Sequence, residues 1–244
     1  MEIYLDLENT LLNNKKILNC EGIHILKKLS EQNKIVILTT GALAEAKQLF
    51  SIPNLEIVST LENKVYKNNT YQFLPLECNL KDFLTSSFVY TLYGVHEDTT
   101  YILKYQERMK NFYPTSNLQM CSSFPSTIAS FVVAIFNEGL NWALNLLKDL
   151  QIVTLASDSK KTLLLVSKTI STKESWILKL KESPAIAIGD SYTDYDFIKH
   201  CEVQVAMKNG ETELKGVCEF QTEKSNQENG ALDFILNFLK HQQA

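Results

Sequence analysis

Apolar residues fall into two patterns along the chain. Short, nearly unbroken runs occur at Ile3-Tyr4-Leu5, at Ile35-Val36-Ile37-Leu38, and at residues 55–59, 185–188 and 203–207. Each is too short for a stable helix and lacks the alternation of a strand with one wet face. The runs therefore predict strands buried on both faces, as in a parallel sheet. Between them the spacing lengthens. Ile23, Ile25, Leu26 and Leu29 are interleaved with Lys27-Lys28 and Glu31-Gln32, which predicts a helix over 22–33. Helical spacing returns over 42–50, and Leu232, Ile235, Leu236 and Leu239 give a final helix one apolar side. Strand alternating with helix predicts an α/β fold with a Rossmann-like parallel sheet.

The middle of the chain breaks this rhythm. Residues 62–71 (ENKVYKNNTY) predict a hairpin turning at Asn68-Asn69. From 88 to 166 strand-like runs dominate, at 88–93, 100–103, 129–136, 152–156 and 162–166, with helical pieces near 106–112 and 139–150. The expected division is an α/β core of residues 1–80 and 167–244, interrupted by an inserted α+β module of residues 81–166. After Ser167 a helix resumes through Trp176, Ile177, Leu178 and Leu180, with Ser171 or Thr172 as its N-cap. Lys173 then sits in the first turn, beside the positive end of the helix dipole, where a nearby anion would offset the cost; taken alone, the segment fits a solvated surface lysine better.

The candidate chemistry lies where the buried runs end, since ligands of open α/β sheets bind beyond the carboxyl ends of the strands. The run 185–188 breaks at Gly189 and is followed by Asp190, Asp194 and Asp196. Carboxylates at the exit of a buried strand carry a desolvation cost unless a cation or hydrogen bonds compensate. Asp190 and Asp194 read as one half of a divalent-metal site. The first strand supplies the other half in Asp6-Leu7-Glu8-Asn9-Thr10. The second strand ends in Thr39-Thr40-Gly41, a hydroxyl and a glycine that suit a phosphate or, equally, cap the next helix.

Composition narrows the rest. The chain has 244 residues and is 45% hydrophobic, enough for a sizeable core. Its net charge of −4 gives no reason to expect nucleic acid or an anionic membrane as a partner. Cys20, Cys78, Cys121, Cys201 and Cys218 are scattered and form no CxxC pair, so neither a disulfide framework nor a zinc site is expected. Reduced thiols in a cytoplasmic protein fit best. The start Met1-Glu2 lacks the basic region of a signal peptide, and no apolar stretch is long enough for a bilayer. His24, His96, His200 and His241 carry no site signal, nor does Asp196.

Taken in order, these motifs resemble those of the haloacid dehalogenase superfamily of phosphatases, in particular its Cof-type subfamily with a C2 cap. Residues 6–10 stand where that family has DxDGT, and Leu38-Thr39-Thr40-Gly41 where it has a strand ending in Thr or Ser before Gly. Residues 170–173 match its lysine segment and 189–194 (GDSYTD) its GDxxND. Residues 205–210 with Glu213-Leu214-Lys215 resemble VAMGNA…ELK, and 226–230 the NDEDG loop. The resemblance covers both ends of the chain; the middle matches by length, position and α/β content.

The resemblance implies a Mg²⁺-dependent phosphatase acting on a small phosphorylated metabolite, with a sugar phosphate as one candidate and no obligate protein partner. Asp6 would be the nucleophile that becomes an aspartyl-phosphate, Glu8 the acid and base, and Lys173 the neutralising cation. Mg²⁺ would be held by Asp6, the backbone carbonyl of Glu8, Asp190 and Asp194, the last directly or through water. Thr40, Gly41, Lys173 and Asn209 would hold the phosphate. Three departures bear on turnover. Glu8 replaces Asp, adding about 1.5 Å of reach. Asn9 replaces Gly at a turn that asks for positive φ, which Asn tolerates. Ala42 replaces an Arg common in the family. They leave open a weakly active or non-catalytic phosphate-binding protein, and a sugar-phosphate mutase is a further alternative.

Overall fold

The computed structural model describes residues 1–74, 76 and 80–242. Cys78 lies outside them; the other four cysteines are free thiols. One sheet has eight strands in the order β14-β13-β12-β1-β2-β3-β4-β5. Its central strands are β1 (Glu2–Asp6), β2 (Lys34–Thr39), β3 (Leu55–Ser59), β12 (Ala185–Gly189) and β13 (Val203–Ala206). These pair in parallel, as does the two-residue edge strand β14 (Phe220–Gln221). The predicted hairpin closes the other edge as β4 (Lys64–Lys67) and β5 (Thr70–Gln72), antiparallel, with Asn68 and Asn69 both at positive φ.

The unbroken apolar runs are explained by two cores, one on each face of this sheet. Successive strand residues point to opposite faces. Ile3, Leu5, Ile35, Ile37, Ile186 and Ile188 pack with helices α1 (Cys20–Gln32) and α7 (Gly230–Gln242). Tyr4, Val36, Leu38, Ala185 and Ala187 face the other way, against Trp176 and Ile177 of α4 (Lys173–Leu180) and Phe197 of α5 (Tyr195–Ile198). The apolar runs give way to polar residues chiefly at the strand ends.

A second sheet of six strands is built entirely from residues 89–167, in the order β10-β11-β9-β6-β7-β8. Its strands are β6 (Val89–His96), β7 (Thr99–Lys104), β8 (Asn117–Met120), β9 (Ser130–Phe136), β10 (Gln151–Ser157) and β11 (Lys161–Ser167). One face is covered by α2 (Lys81–Thr85) and α3 (Leu140–Leu146), through Phe83, Ala143 and Leu147. The other face presents Tyr93, Val95, Val132 and Leu165 to Ala42, Ala44 and Leu61 of the first sheet's loops. Ala42 and Leu61 follow β2 and β3, so the second sheet rests above the carboxyl ends of the first.

Several expectations need correction. Residues 43–49 are a 3₁₀ segment rather than an α-helix. The loop is pinned at both ends, Ala42 lying fully buried under the second sheet and the Leu43 N–H donating to Glu62 at 2.6 Å. Residues 107–112 are likewise 3₁₀, and the helix expected over 139–150 stops at Leu146, before the chain turns into β10. β8 and β14 carry no apolar run that would announce them. Among the described residues no helix is long and apolar enough to cross a membrane.

Candidate active site

The carboxyl ends of β1, β12 and β2 converge with the amino end of α4. β1 delivers Asp6, 2% exposed, and the chain then turns through Asn9 at φ 56°. That left-handed residue is the one for which Asn substitutes for Gly. β12 delivers Asp190 through Gly189, where a side chain could not fit: a Cβ would lie 2.6 Å from Asp194. The missing side chain lets the Asp194 carboxylate fold back, so that its Oδ2 accepts from the N–H groups of Asp190 and Ser191, each at 3.1 Å.

α4 opens with a capping box. Thr172 accepts from the Ser175 N–H, while the Ser175 hydroxyl accepts from the Thr172 N–H, both at 3.0 Å. This fixes Lys173 as the first helical residue. Its Nζ binds Asp6 Oδ1 and, at 2.7 Å, Asp194 Oδ1. The anion cluster that this helix position required is thus present. Burial disfavours the Lys173 ammonium, but the two carboxylates outweigh it and raise its proton affinity above the ordinary lysine value.

The cluster has a surplus of negative charge. Oxygens of Asp6, Asp190 and Asp194 lie within 4.8 Å of one another, facing one ammonium. Burial, reinforced by Asp194 and Glu8 and opposed by Lys173, pushes the Asp6 carboxyl well above the ordinary range. Asp190 is pushed up to about 6 by burial and by Asp194, although the Thr10 hydroxyl donates to it at 3.4 Å. A hard, all-oxygen, electron-rich donor set fits Mg²⁺ chemically. Asp194 has both oxygens engaged by protein donors, which leaves Asp6 and Asp190 as the carboxylates with free acceptor capacity.

Residues 3–235 match the family model of the haloacid dehalogenase-like hydrolases. The chain belongs to the haloacid dehalogenase-like hydrolases. A member from Bacteroides thetaiotaomicron superposes with a TM-score of 0.70 at 18% identity, over 97% of this chain and 98% of its own. BT1666 of the same organism, described among phosphatases of that superfamily, gives 0.68 at 16% identity, over 97% and 94%. TM0651 from Thermotoga maritima gives 0.69 at 17%, over 95% and 94%. At such identities the likeness is one of fold. No curated protein matches the chain.

Within this haloacid dehalogenase-like frame the second strand end holds the unforeseen residue. Thr39, fully buried, donates its hydroxyl to Glu8 Oε1 and accepts from the Gly41 N–H at 2.8 Å. Thr40, the expected phosphate ligand, follows as an exposed residue. Burial raises the Glu8 carboxyl, with the Thr39 bond pulling the other way. Asn209, also expected at the phosphate, spends its amide on bracing: Nδ2 donates to the Asn9 carbonyl at 2.8 Å and Oδ1 accepts from the Asn226 N–H at 2.9 Å. The expected arginine position, Ala42, packs against the second sheet. Asp196 pairs with Lys199 at 3.4 Å and His200 with Glu174 at 3.0 Å, on the surface side of α5.

Proposed function

We propose that the protein is a Mg²⁺-dependent phosphomonoesterase that hydrolyses a small phosphorylated metabolite through an aspartyl-phosphate on Asp6. The observation that carries this reading is the buried Asp6–Lys173–Asp194 cluster beside Asp190, whose charge surplus is unfavourable without a cation. Asp6, Asp190 and the Glu8 carbonyl would hold the ion, with Asp194 supporting from behind. When bound, Mg²⁺ offsets the negative charge that Asp6 and a phosphoryl group bring together.

The chain's own groups then divide the work. One Asp6 oxygen attacks phosphorus as the ester P–O bond breaks, and the Glu8 carboxyl gives its proton to the departing oxygen. Water then attacks phosphorus, Glu8 takes its proton, the Asp6–phosphate bond breaks and orthophosphate leaves. Lys173 holds Asp6 in place and adds fixed positive charge near the equatorial oxygens. Thr40, exposed at the strand exit, and Lys173 would meet the phosphoryl group.

The division into a core and a cap belongs to the same proposal. The second sheet, seated on Ala42 and Leu61, would shield the site from water and select the substrate. We also place the enzyme in the cytoplasm, in keeping with its free thiols. The test is phosphate release from a panel of sugar phosphates and from p-nitrophenyl phosphate, with and without Mg²⁺, for the native protein and Asp6→Asn. Metal-dependent release that Asp6→Asn abolishes supports the reading. No release from the native protein on any ester contradicts it and leaves a phosphate-binding role.

A further inference from the structure

We propose that Thr39 is a positioning residue that clamps Glu8 Oε1, so that Oε2 is the oxygen that delivers and removes the proton in the hydrolysis described above. The inference rests on that reaction and adds a residue to it. A threonine hydroxyl has one proton to give and lone pairs that accept. At Thr39 the Gly41 N–H occupies the acceptor side at 2.8 Å, and the hydroxyl proton goes to Glu8 Oε1.

The bond is the last of a directed chain. The Glu62 N–H donates to Ser59 Oγ at 3.0 Å, and the Ser59 hydroxyl donates to the Gly41 carbonyl at 2.7 Å. The Gly41 N–H then donates to Thr39, and Thr39 to Glu8. Each hydroxyl in the series therefore has its proton committed in one direction. The ends of β2 and β3 are rigid because both faces of those strands are packed. The chain carries that rigidity to a side chain on the loop after β1.

Glu8 needs such a clamp more than an aspartate would. Its extra methylene adds a rotatable bond, and an unrestrained glutamate spreads its carboxyl over many positions. Thr39 fixes one oxygen, and the backbone at Gly41 walls the same side: a Cβ there would lie 3.1 Å from Oε1. Oε2 is left as the oxygen able to reach a leaving group. A carboxyl displaced by about 1 Å can cost about 10²-fold in rate.

The test uses the full chain with Mg²⁺ and two esters, p-nitrophenyl phosphate and glycerol 2-phosphate. Their kcat/KM values report phosphoryl transfer to Asp6. An aryl leaving group departs without a proton, whereas an alkyl one needs Glu8. Thr39→Val should lower kcat/KM for the alkyl ester about tenfold or more and leave the aryl ester within about twofold. Thr39→Ser, which keeps the hydroxyl, should stay within about threefold on both esters. In a Glu8→Asp background the shorter side chain no longer meets the clamp, so adding Thr39→Val should change neither ester by more than about twofold. Equal losses on both esters, failure of Thr39→Ser alongside Thr39→Val, or full additivity in the Glu8→Asp background overturns the inference. If Thr39→Val does not fold, Thr39→Ser and Thr39→Cys on the two esters decide, the weaker thiol donor giving the intermediate alkyl-specific loss. A native protein inactive on both esters overturns the hydrolase reading itself, an outcome separate from any of these.

Discussion

Among the described residues, two buried ionic clusters are built on opposite principles. At the strand exits, Asp6, Asp190 and Asp194 surround the single ammonium of Lys173, with Glu8 close by. At the junction of the two sheets, Glu62 and Lys64 form a pair at 3.7 Å with both side chains wholly buried. There both charged groups have polar partners. Glu62 accepts from the Leu43 N–H at 2.6 Å and the Glu97 N–H at 3.3 Å, and Lys64 donates to His96 Nδ1 at 2.7 Å and lies over the Phe73 ring. Burial and Lys64 lower the proton affinity of His96, which favours a ring nitrogen that accepts. The junction cluster is balanced and closed. The site cluster carries surplus charge and has carboxylate oxygens to spare. Burial costs both clusters the hydration of their ions, and in the second each ion faces one counter-charge. In the first the carboxylates outnumber the ammonium, a charge pattern that the proposed cation would complete.

The contrast can be broken or sharpened by substitution. The largest effect should come from Asp6→Asn, which removes the proposed nucleophile and should cut phosphate release by more than about 10³-fold. It should also raise the melting temperature in chelator, because it relieves the surplus charge. Lys173→Met should lower kcat by about 10²–10³-fold. Unlike Asp6→Asn it should destabilise the metal-free protein, since it leaves the buried carboxylates with no cation; calorimetry of the two variants checks this opposition.

At the junction the expected signs differ. Lys64→Met strands Glu62 and should cost about 3–5 kcal/mol of stability, whereas Glu62→Gln with Lys64→Met together should recover more than half of that. Denaturant titration of the single and double variants measures the recovery. The same pair sets a small pH dependence. Burial pushes Glu62 up to about 7 against the pull of Lys64, so its stabilising contribution is full below the ordinary glutamate value and is lost as pH rises towards 7. Burial pulls Lys64 down to about 8 despite Glu62, so stability returns as pH rises from about 8 towards the ordinary lysine value. A shallow stability minimum between about 7 and 8 should therefore appear in the native protein and be absent from the double variant.

Legibility in the sequence followed from how local each cause is. The parallel strands could be read because burial on both faces leaves unbroken apolar runs, as at Ile35-Val36-Ile37-Leu38. Lys173 could be placed only through the family resemblance, since its first-turn position alone fits a solvated surface lysine as well; in the fold Asp6 and Asp194 are the anions beside it. Asp190 and Asp194 stood out at the exit of an apolar run. The adjacent hydroxyls Thr39 and Thr40 could not be told apart, because neighbouring strand residues point to opposite faces. Which one meets Glu8 depends on how β1 and β2 align, a register set by Asp6 opposite Leu38. Asn209 is expected at the phosphate through the resemblance; that its amide also ties Asn9 to Asn226, on a loop seventeen residues on, has no local signal. Glu62 and Lys64 read as ordinary polar residues of a hairpin. Their partners are His96 at the end of β6 and Glu97 in the turn after it, more than thirty residues away, and no local pattern encodes the contact. The polar strand β8 (NLQM) is likewise created by its neighbour β7 rather than by its own composition.

The most direct test of the central claim is the melting temperature of the native protein and of Asp190→Asn, each in chelator and in saturating Mg²⁺. If the charge surplus is a cation site, ion at about a hundred times its Kd stabilises the native fold by about 2.7 kcal/mol. For a chain of this size that is a rise of about 5–10 °C. Asp190→Asn should start higher than the native protein in chelator and gain less than about 2 °C from Mg²⁺. A native melting temperature that Mg²⁺ leaves unmoved, or an equal rise in Asp190→Asn, would contradict the account.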